Sequence, residues 1–274
     1  MSTTTVRHAY NDVVATHYDL DPQGVIGRSL DLGIAQMKKQ GLIGEGGEPL
    51  SVLDVGMGTG LFLGKLKEAA GDQVVPFGVD LAENMVEFAR KRIPDLNVVV
   101  GDASDLRGLF PGHQFSCVCT HFVTGFVPMK VLAPQIAERL KPGGYWSLVG
   151  GTRKAYGALQ AKGESWFLRK LAGAGDRKVD DTVLNPADLA EVEQVMNAHG
   201  LDLVQGETFR PALEFNDFDQ FMEFGYRGGW LTPLIESLGL PQAGPLKRWL
   251  INRLIFPVTD AHDIVIALGR KRGG

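Results

Sequence analysis

The stretch VLDVGMGTG, from Val52 to Gly60, decides how the rest of this sequence is interpreted. Its apolar run contains one acidic residue, Asp54, and the glycines Gly56, Gly58 and Gly60 then follow at every second position. Glycine allows the tight turn and the close backbone approach that a ligand-binding loop needs after a buried strand. The stretch therefore predicts a nucleotide-like ligand at the carboxyl end of a first strand.

Short β-rich runs alternate with segments of helical periodicity around this loop. We expect strands at 51–55, 74–80, 97–102, 115–122, 145–150, 201–209 and 262–271. Helices are expected at 61–71, 82–94 and 130–140, and KPGG at 141–144 is typical of a turn. A further helix is predicted from Asn185 as N-cap and Pro186 as first helical residue to Gly200. This alternation predicts an α/β fold in which helices cover both faces of a parallel sheet.

Composition excludes several classes of function. The formal net charge of −4 argues against a broad nucleic-acid surface, which needs clustered Lys and Arg. Cys117 and Cys119 are too close on one strand to favour a disulfide, which predicts a reducing compartment. No window approaches the ~18–20 apolar residues of a membrane span, and the first residues have no apolar signal core. We therefore expect a cytoplasmic protein without nucleic-acid or membrane partners.

The charge around the glycine loop limits which ligands it could bind. A dinucleotide loop usually reads G-x-G-x-x-G, whereas this one reads G-x-G-x-G and follows Asp54. A carboxylate there would repel a pyrophosphate and attract an ammonium group. Asp80 ends the second strand, where it can accept both ribose hydroxyls, and Asp102 ends the third, where it can accept from an adenine amino group. An amino group, a ribose and an adenine without phosphates describe S-adenosylmethionine (SAM).

The run from Val52 to Gly150 resembles the class I SAM-dependent methyltransferases that act on small molecules. The resemblance rests on VLDVGMGTG, GVDLAENMVEFAR, GDASDL, FSCVCTHFVTGFV and LKPGGYWSLVG, which follow one another in the family's order and spacing. It implies a doubly wound, Rossmann-like, seven-stranded sheet whose last strand is antiparallel. It also implies that SAM is the cofactor, S-adenosylhomocysteine the product, and that no metal takes part.

The same resemblance implies a set of cofactor contacts. Asp54 and the glycine loop would hold the methionine part of SAM, Asp80 the ribose and Asp102 the adenine edge. A tyrosine of the N-terminal helices often contacts the SAM carboxylate in similar enzymes. The complete set predicted to bind the cofactor is Tyr18, Asp54, Gly56, Met57, Gly58, Gly60, Asp80, Leu81, Met85, Asp102, Ala103, His121 and Phe122.

The domain prediction follows from the same reading. Residues 1–274 are expected to form a single methyltransferase domain, either a monomer or a homodimer. Within it we expect an N-terminal helical cap at 1–50, a SAM-binding core at 51–150 and a substrate lid insertion at 209–258. The insertion is far longer than an ordinary connection, and long connections tend to be functional.

Catalysis is predicted to involve His121, at the end of the fourth strand, with His17 as a reserve. An imidazole with an ordinary pKa of about 6.5 can take a proton from an O–H or N–H nucleophile. The alternative is that His121 only hydrogen-bonds SAM or the backbone and shapes the pocket. Cys117, Cys119 and His121 alternate on one strand, but three neighbours on one buried strand converge poorly on one metal ion.

The acceptor is predicted to be a small, partly aromatic metabolite, because the insertion is rich in aromatic residues. The predicted substrate-binding residues are Tyr10, Phe126, Arg153, Phe221, Tyr226 and Trp230. The leading hypothesis is methyl transfer to oxygen or nitrogen, with carbon as a further option, in secondary-metabolite biosynthesis. The alternatives are a prenyl diphosphate C-methyltransferase, with basic residues near 153–154 and 169–177, and a SAM-binding cyclase or regulatory protein that transfers no methyl group.

Overall fold

A computed structural model of the chain describes residues 3–44, 47–163 and 184–273. The chain divides into two compact units, each made of three segments. The first, which we call the sheet unit, comprises Ile26–Arg153, Leu184–Phe209 and Ile264–Gly274. The second, the insertion unit, comprises Met1–Val25, Lys154–Val183 and Arg210–Asp263. Each unit is described by itself.

The regular elements, numbered along the chain, fall into two sets. The strands are β1 Leu50–Val55, β2 Val74–Asp80, β3 Asn97–Val100, β4 Phe115–His121, β5 Leu140–Gly151, β6 Leu201–Phe209, β7 Ala212–Phe215, β8 Val258–Ala261 and β9 Ile264–Lys271. The α-helices of the described residues are α1 Thr3–Ala9, α2 Val25–Lys39, α3 Leu61–Ala70, α4 Glu83–Arg92, α5 Met129–Arg139, α6 Gly157–Gly163, α7 Leu189–Ala198, α8 Phe218–Met222, α9 Thr232–Ser237 and α10 Pro245–Ile255. No helix among the described residues combines the length and the apolar character needed to cross a membrane.

The sheet unit is built on a seven-stranded sheet in the order β3-β2-β1-β4-β5-β9-β6. Strands β1 to β5 pair in parallel, and β9 runs antiparallel to both β5 and β6. This confirms the predicted Rossmann-like sheet with an antiparallel last strand. The strand order reverses between β1 and β4, and in such sheets ligands bind at the carboxyl ends beside that point.

Two-sided burial explains why the strands are nearly continuous apolar runs. All six residues of β1 are buried, because helices cover both faces of the sheet. The main core is formed by side chains of the central strands and of α5 and α7, with Trp146 as its largest fully buried member. In α4, the buried residues are Met85, Val86 and Ala89, whereas Phe88 is exposed.

The insertion unit holds a second, small sheet that the sequence did not predict. Strands β7 and β8 pair antiparallel, with Ala212 opposite Ala261 and Phe215 opposite Val258. A separate core packs α8, α9 and α10 through four buried side chains, Phe218, Ile235, Leu240 and Ile251. Asp217 caps α8 by accepting a hydrogen bond from the Gln220 amide at 2.9 Å.

Several predicted boundaries were wrong. The helix expected from Asn185 begins at Leu189, with Asp188 as its N-cap. KPGG is not a separate turn but lies inside β5, where the pairing with β4 is irregular between Phe115 and Cys117. The third strand ends at Val100, and the last begins only at Ile264.

Candidate active site

The glycine loop follows β1 and has the backbone conformation that its glycines predict. Gly56, Gly58 and Gly60 have φ angles of +68°, +56° and +74°, in the left-handed region that favours glycine. The amides of Gly56 and Met57 both donate to the Val79 carbonyl oxygen, at 2.8 and 3.1 Å. These two bonds fasten the start of the loop to the end of β2, so the carboxyl ends of the two strands lie side by side.

Asp80, the last residue of β2, is part of this loop structure. Its two carboxylate oxygens accept hydrogen bonds from the amides of Gly58, at 2.8 Å, and Ala82, at 2.9 Å. Burial raises the pKa of Asp80, and the bonds from backbone amides partly oppose that rise. A carboxylate has about four lone-pair sites, so Asp80 can still accept from a ligand hydroxyl.

Asp54 has an unusual environment. Its side chain is buried, and its Oδ1 atom has no hydrogen-bond partner among the described residues. Burial, and secondarily the negative charge of Asp80, raise the pKa of Asp54 well above its ordinary value. Two buried carboxylates in each other's field are costly unless a positive charge or hydrogen-bond donors compensate. The arrangement therefore fits a ligand that brings a cationic, hydrogen-bonding group.

The other residues of the sheet unit that are predicted to contact the cofactor differ in how exposed they are to solvent. Leu81, Asp102 and Ala103 are partly exposed, and the Oδ1 atom of Asp102 accepts from the Ser104 amide at 2.8 Å. The side chain of Met57 is buried against Val86 and Ala89, and that of Met85 is fully buried. In this structure Met85 therefore presents no surface to an adenine ring.

His121 ends β4, next to β1 in the sheet. Its Nε2 atom shares a 3.1 Å hydrogen bond with Ser147 Oγ, and its ring meets Phe62 edge-on with 4.1 Å between centroids. Its Nδ1 atom is buried without a partner among the described residues. Phe122, which follows, has a φ of +59° and donates its amide to the Val149 carbonyl oxygen at 2.7 Å. The carboxyl end of β4 therefore carries a second unsatisfied polar atom.

Burial lowers the pKa of His121 to about 3. The ring is therefore neutral near pH 7, but it binds a proton too weakly to be an efficient general base there. This argues for the alternative in which His121 hydrogen-bonds a ligand and shapes the pocket. Phe62 and Ser147, which hold the ring, were missed by the sequence analysis because both are remote from His121 along the chain.

Comparison with known proteins agrees with this geometry. The family model described as a methyltransferase domain matches residues 52–144, from β1 into β5. That segment contains the glycine loop, both buried carboxylates and His121. Residues 52–144 are therefore similar to a methyltransferase domain.

One curated relative is similar to part of the chain. A dTDP-3-amino-3,4,6-trideoxy-alpha-D-glucopyranose N,N-dimethyltransferase from Streptomyces venezuelae is 36% identical over 102 residues, covering 35% of this chain and 40% of that protein. The match thus spans less than half the length of that relative.

Two solved structures are similar to the chain in fold. Magnesium protoporphyrin IX methyltransferase from Synechocystis PCC 6803, with bound SAH, has a TM-score of 0.57 and 13% identity, over 98% of this chain and 99% of that one. The [4+2]-cyclase SpnF has a TM-score of 0.51 and 16% identity, over 89% of this chain and 81% of that one. At these identities the likeness concerns the fold alone.

Two residues predicted to bind substrate lie in the sheet unit. Arg153, which follows β5, forms an ion pair with Glu191 at 2.8 Å and donates to the Asn185 carbonyl oxygen at 3.3 Å. Its charge is therefore already compensated within the unit, which weakens its predicted role with an anionic substrate. Phe126 is half-buried and packs against the main core. Among the described residues no group of His, Cys, Asp and Glu is arranged to hold a metal ion.

The remaining predicted substrate residues lie in the insertion unit. Trp230 stacks on Phe224 with 5.6 Å between centroids, and Phe221 meets Phe215 edge-on at 5.7 Å. Phe215 and Phe224 are 5.4 Å apart, so the four rings form one aromatic cluster. Tyr226 instead packs on the separate core of α8 to α10 and donates its hydroxyl to Glu236 at 3.3 Å.

A pair formed by the half-buried Tyr156 and the buried His262 adjoins this aromatic cluster, and no sequence pattern revealed it. The Tyr156 hydroxyl and His262 Nδ1 share a hydrogen bond at 3.1 Å, and the His262 ring meets Trp230 edge-on at 4.6 Å. Burial raises the pKa of Tyr156 well above its ordinary value and lowers that of His262 to about 3. Both groups are therefore neutral near pH 7.

The N-terminal candidates also lie in the insertion unit. The Tyr10 hydroxyl donates to the Gly229 carbonyl oxygen at 3.4 Å, beside the aromatic segment of the insertion. His17 Nδ1 lies 3.2 Å from the Val13 carbonyl oxygen and 2.9 Å from Thr16 Oγ1. Tyr18 begins a single 3-10 turn, Tyr18–Leu20. The structure thus places Tyr10 near predicted substrate residues and gives His17 only local partners.

Proposed function

We propose that this protein is a SAM-dependent methyltransferase that acts on a small metabolite. The acceptor is a partly aromatic metabolite of secondary metabolism. Its methylated atom is an oxygen or a nitrogen, with carbon as a further option. The observation that carries the cofactor assignment is the buried Asp54 carboxylate, whose Oδ1 atom has no partner among the described residues, next to Asp80 and the glycine loop.

Each residue of that group has a role that its geometry supports. Asp54 supplies negative charge for the amino end of the methionine moiety, and the left-handed glycines keep side chains away from the ligand. Asp80 accepts from the ribose hydroxyls with the lone pairs that Gly58 and Ala82 leave unused. Leu81 lies against the adenine, and Asp102 accepts from its amino group.

SAM supplies an electrophilic methyl group on a sulfonium. The protein must then hold the acceptor in line with that methyl group and exclude water. His121 contributes a neutral ring whose Nδ1 atom hydrogen-bonds a ligand, while Phe62 and Ser147 fix the ring's orientation. Because its pKa is about 3, we assign His121 a positioning role and not that of a general base.

Two observations support the proposed type of acceptor. The aromatic cluster of the insertion unit offers large flat side chains, which suit a partly aromatic substrate. The relative from Streptomyces venezuelae is named for methylation of an amino group on a nucleotide-linked sugar, which favours nitrogen among the possible acceptor atoms.

A second candidate function is a cyclase that binds SAM without transferring its methyl group. The SpnF structure supports it, because the fold of a [4+2]-cyclase covers most of this chain. The prenyl diphosphate alternative gains no such support: Arg153 is paired with Glu191, and residues 169–177 lie outside the described residues.

Calorimetric titration with SAM tests the cofactor assignment. Asp54→Asn should weaken SAM binding at least about tenfold, since a charge-assisted hydrogen bond is worth about 1.5–3 kcal/mol. Asp105→Asn, which removes an exposed carboxylate paired with Arg107, should leave the affinity unchanged. Equal affinity in wild type and Asp54→Asn would sink the assignment.

Incubation with methyl-labelled SAM and a panel of aromatic amines, phenols and amino sugars tests the transfer. Label in a product, with formation of S-adenosylhomocysteine, is the expected result. Conversion of an acceptor into an unlabelled isomer, with SAM intact, would support the cyclase and contradict methyl transfer.

A further inference from the structure

The helix α10 leaves large apolar side chains in solvent. Leu246, Trp249 and Leu254 are 71%, 60% and 44% exposed, whereas Ile251 is buried in the core of α8 to α10. At 100° per residue, the three exposed side chains fall on one side of the helix and Ile251 on another. The outward side of the helix is therefore mostly apolar, with Arg253 between Trp249 and Leu246.

The charged residues of α10 are all basic. Its sequence, PLKRWLINRLI, contains Lys247, Arg248 and Arg253 and no acidic residue, in a chain whose formal net charge is −4. Asp219 compensates the charge of Arg248, whereas Lys162, which donates to the Ile255 carbonyl oxygen, adds a cation at the last turn. An exposed surface that combines apolar side chains with the cations Lys247 and Arg253 complements an anionic, amphipathic surface.

We propose that α10 binds the surface of an anionic lipid bilayer and lies parallel to it. Leucine and tryptophan side chains enter the headgroup–acyl boundary, where tryptophan is enriched, and the basic residues meet lipid phosphates. A helix of 11 residues is roughly 16 Å long, too short to span a bilayer but sufficient to rest on one. The sequence prediction of no membrane partner rested on the length of apolar runs, which detects only spanning segments.

Vesicle sedimentation of the full chain, without SAM or acceptor, tests the proposal. The protein should bind vesicles of phosphatidylglycerol and phosphatidylcholine, and bind pure phosphatidylcholine far less. Leu246→Ser with Trp249→Ser should lower the partition coefficient at least about tenfold, because both side chains leave water on binding. Arg253→Gln should lower it less, and raising the salt to about 0.5 M should weaken binding of the wild type.

Phe88→Ser is the matched control, because Phe88 is 39% exposed on α4 with Lys91 over its ring. It should bind vesicles as the wild type does. Absence of binding to anionic vesicles, or equal loss in the Phe88 variant, would overturn the proposal. So would a dimer in vesicle-free sedimentation that the Leu246/Trp249 variant dissociates, since the face would then be a contact between two copies.

Fluorescence locates the contact. Lipids brominated near the headgroup should quench part of the emission of bound wild-type protein. Trp249→Phe keeps an apolar ring, so it should still bind vesicles but lose most of that quenching. Quenching that persists in Trp249→Phe would place the lipid contact elsewhere and contradict the role of α10.

Discussion

Gly56 and Gly71 both have a positive φ angle but differ in the space around them. Their φ angles are +68° and +57°. A Cβ atom on Gly71 would meet nothing within 4 Å, whereas on Gly56 it would lie 2.7 Å from Val123 Cγ2. Gly71→Ala should therefore cost about 1–3 kcal/mol of backbone strain alone, whereas Gly56→Ala should add about 1–3 kcal/mol from overpacking to its own backbone strain.

Urea unfolding of both variants measures these costs. Adding Val123→Ala to Gly56→Ala should recover part of the lost free energy of unfolding, because it removes the clashing methyl group. Equal costs at the two glycines, without such recovery, would show that Val123 does not restrict the loop.

His262 should make the protein less stable in mild acid. Burial lowers its pKa from 6.5 to about 3, so between these values the unfolded chain takes up a proton that the folded chain does not. This contribution to the free energy of unfolding is therefore present above pH 6.5 and is lost as the pH falls toward 3. Between pH 7 and pH 5 the loss is on the order of 2 kcal/mol.

Comparison with His262→Gln isolates this effect. Its free energy of unfolding should fall less between pH 7 and pH 5, by roughly 2 kcal/mol, than that of the wild type in urea titrations. Asp54 and Asp80, whose pKa values are raised, act in the opposite direction but do so in both proteins. An identical pH dependence in the two proteins would contradict the lowered pKa.

Among the elements, α7 shows how side-chain hydrogen bonds determine where a helix begins. Asp188 accepts from the Glu191 amide at 3.2 Å, and the Glu191 carboxylate accepts from the Ala187 amide at 2.7 Å. Asp188→Ala should cost about 1 kcal/mol of stability, measured by urea unfolding. Asp188→Asn keeps the accepting oxygen and should cost only a few tenths of that; equal losses would argue against the cap.

The sequence misplaced this helix start because its tertiary partners were not visible. Asn185 and Pro186 have the residue types of a cap and a first turn. Yet the Asn185 side chain accepts from the Thr124 hydroxyl at 3.0 Å, and the Pro186 carbonyl accepts from the Arg153 amide at 3.0 Å. The pattern Asp-x-x-Glu at 188–191 was the better local signal.

At the candidate site, too, features set by local sequence patterns could be predicted, and features set by contacts between distant residues could not. The glycine loop, Asp54 and Asp80 come from local patterns, and the structure brings them together. The strands β7 and β8 are four residues each, too short to show periodicity. The pair of Tyr156 and His262 joins residues 106 positions apart, and no local pattern contains that contact.

At the scale of the whole molecule, neither compact unit is a continuous piece of chain. Each consists of three segments that alternate along the sequence, so neither can be separated by a single cut. Folding of one unit restrains at least one end of every segment of the other, which favours cooperative unfolding. We therefore predict one calorimetric transition whose calorimetric and van't Hoff enthalpies agree, as the expected single domain requires.

S-adenosylhomocysteine should raise the temperature of that one transition as a whole. A ligand at 100 times its Kd adds about 2.7 kcal/mol to the free energy of unfolding, or roughly 5–10 °C for a chain of this size. Asp54→Asn, with weakened binding, should show a smaller rise at the same concentration, whereas Asp105→Asn should match the wild type. Two transitions, of which the ligand moves only one, would show that the sheet unit and the insertion unit unfold independently, because linkage stabilises only the structure that must be folded for the ligand to bind.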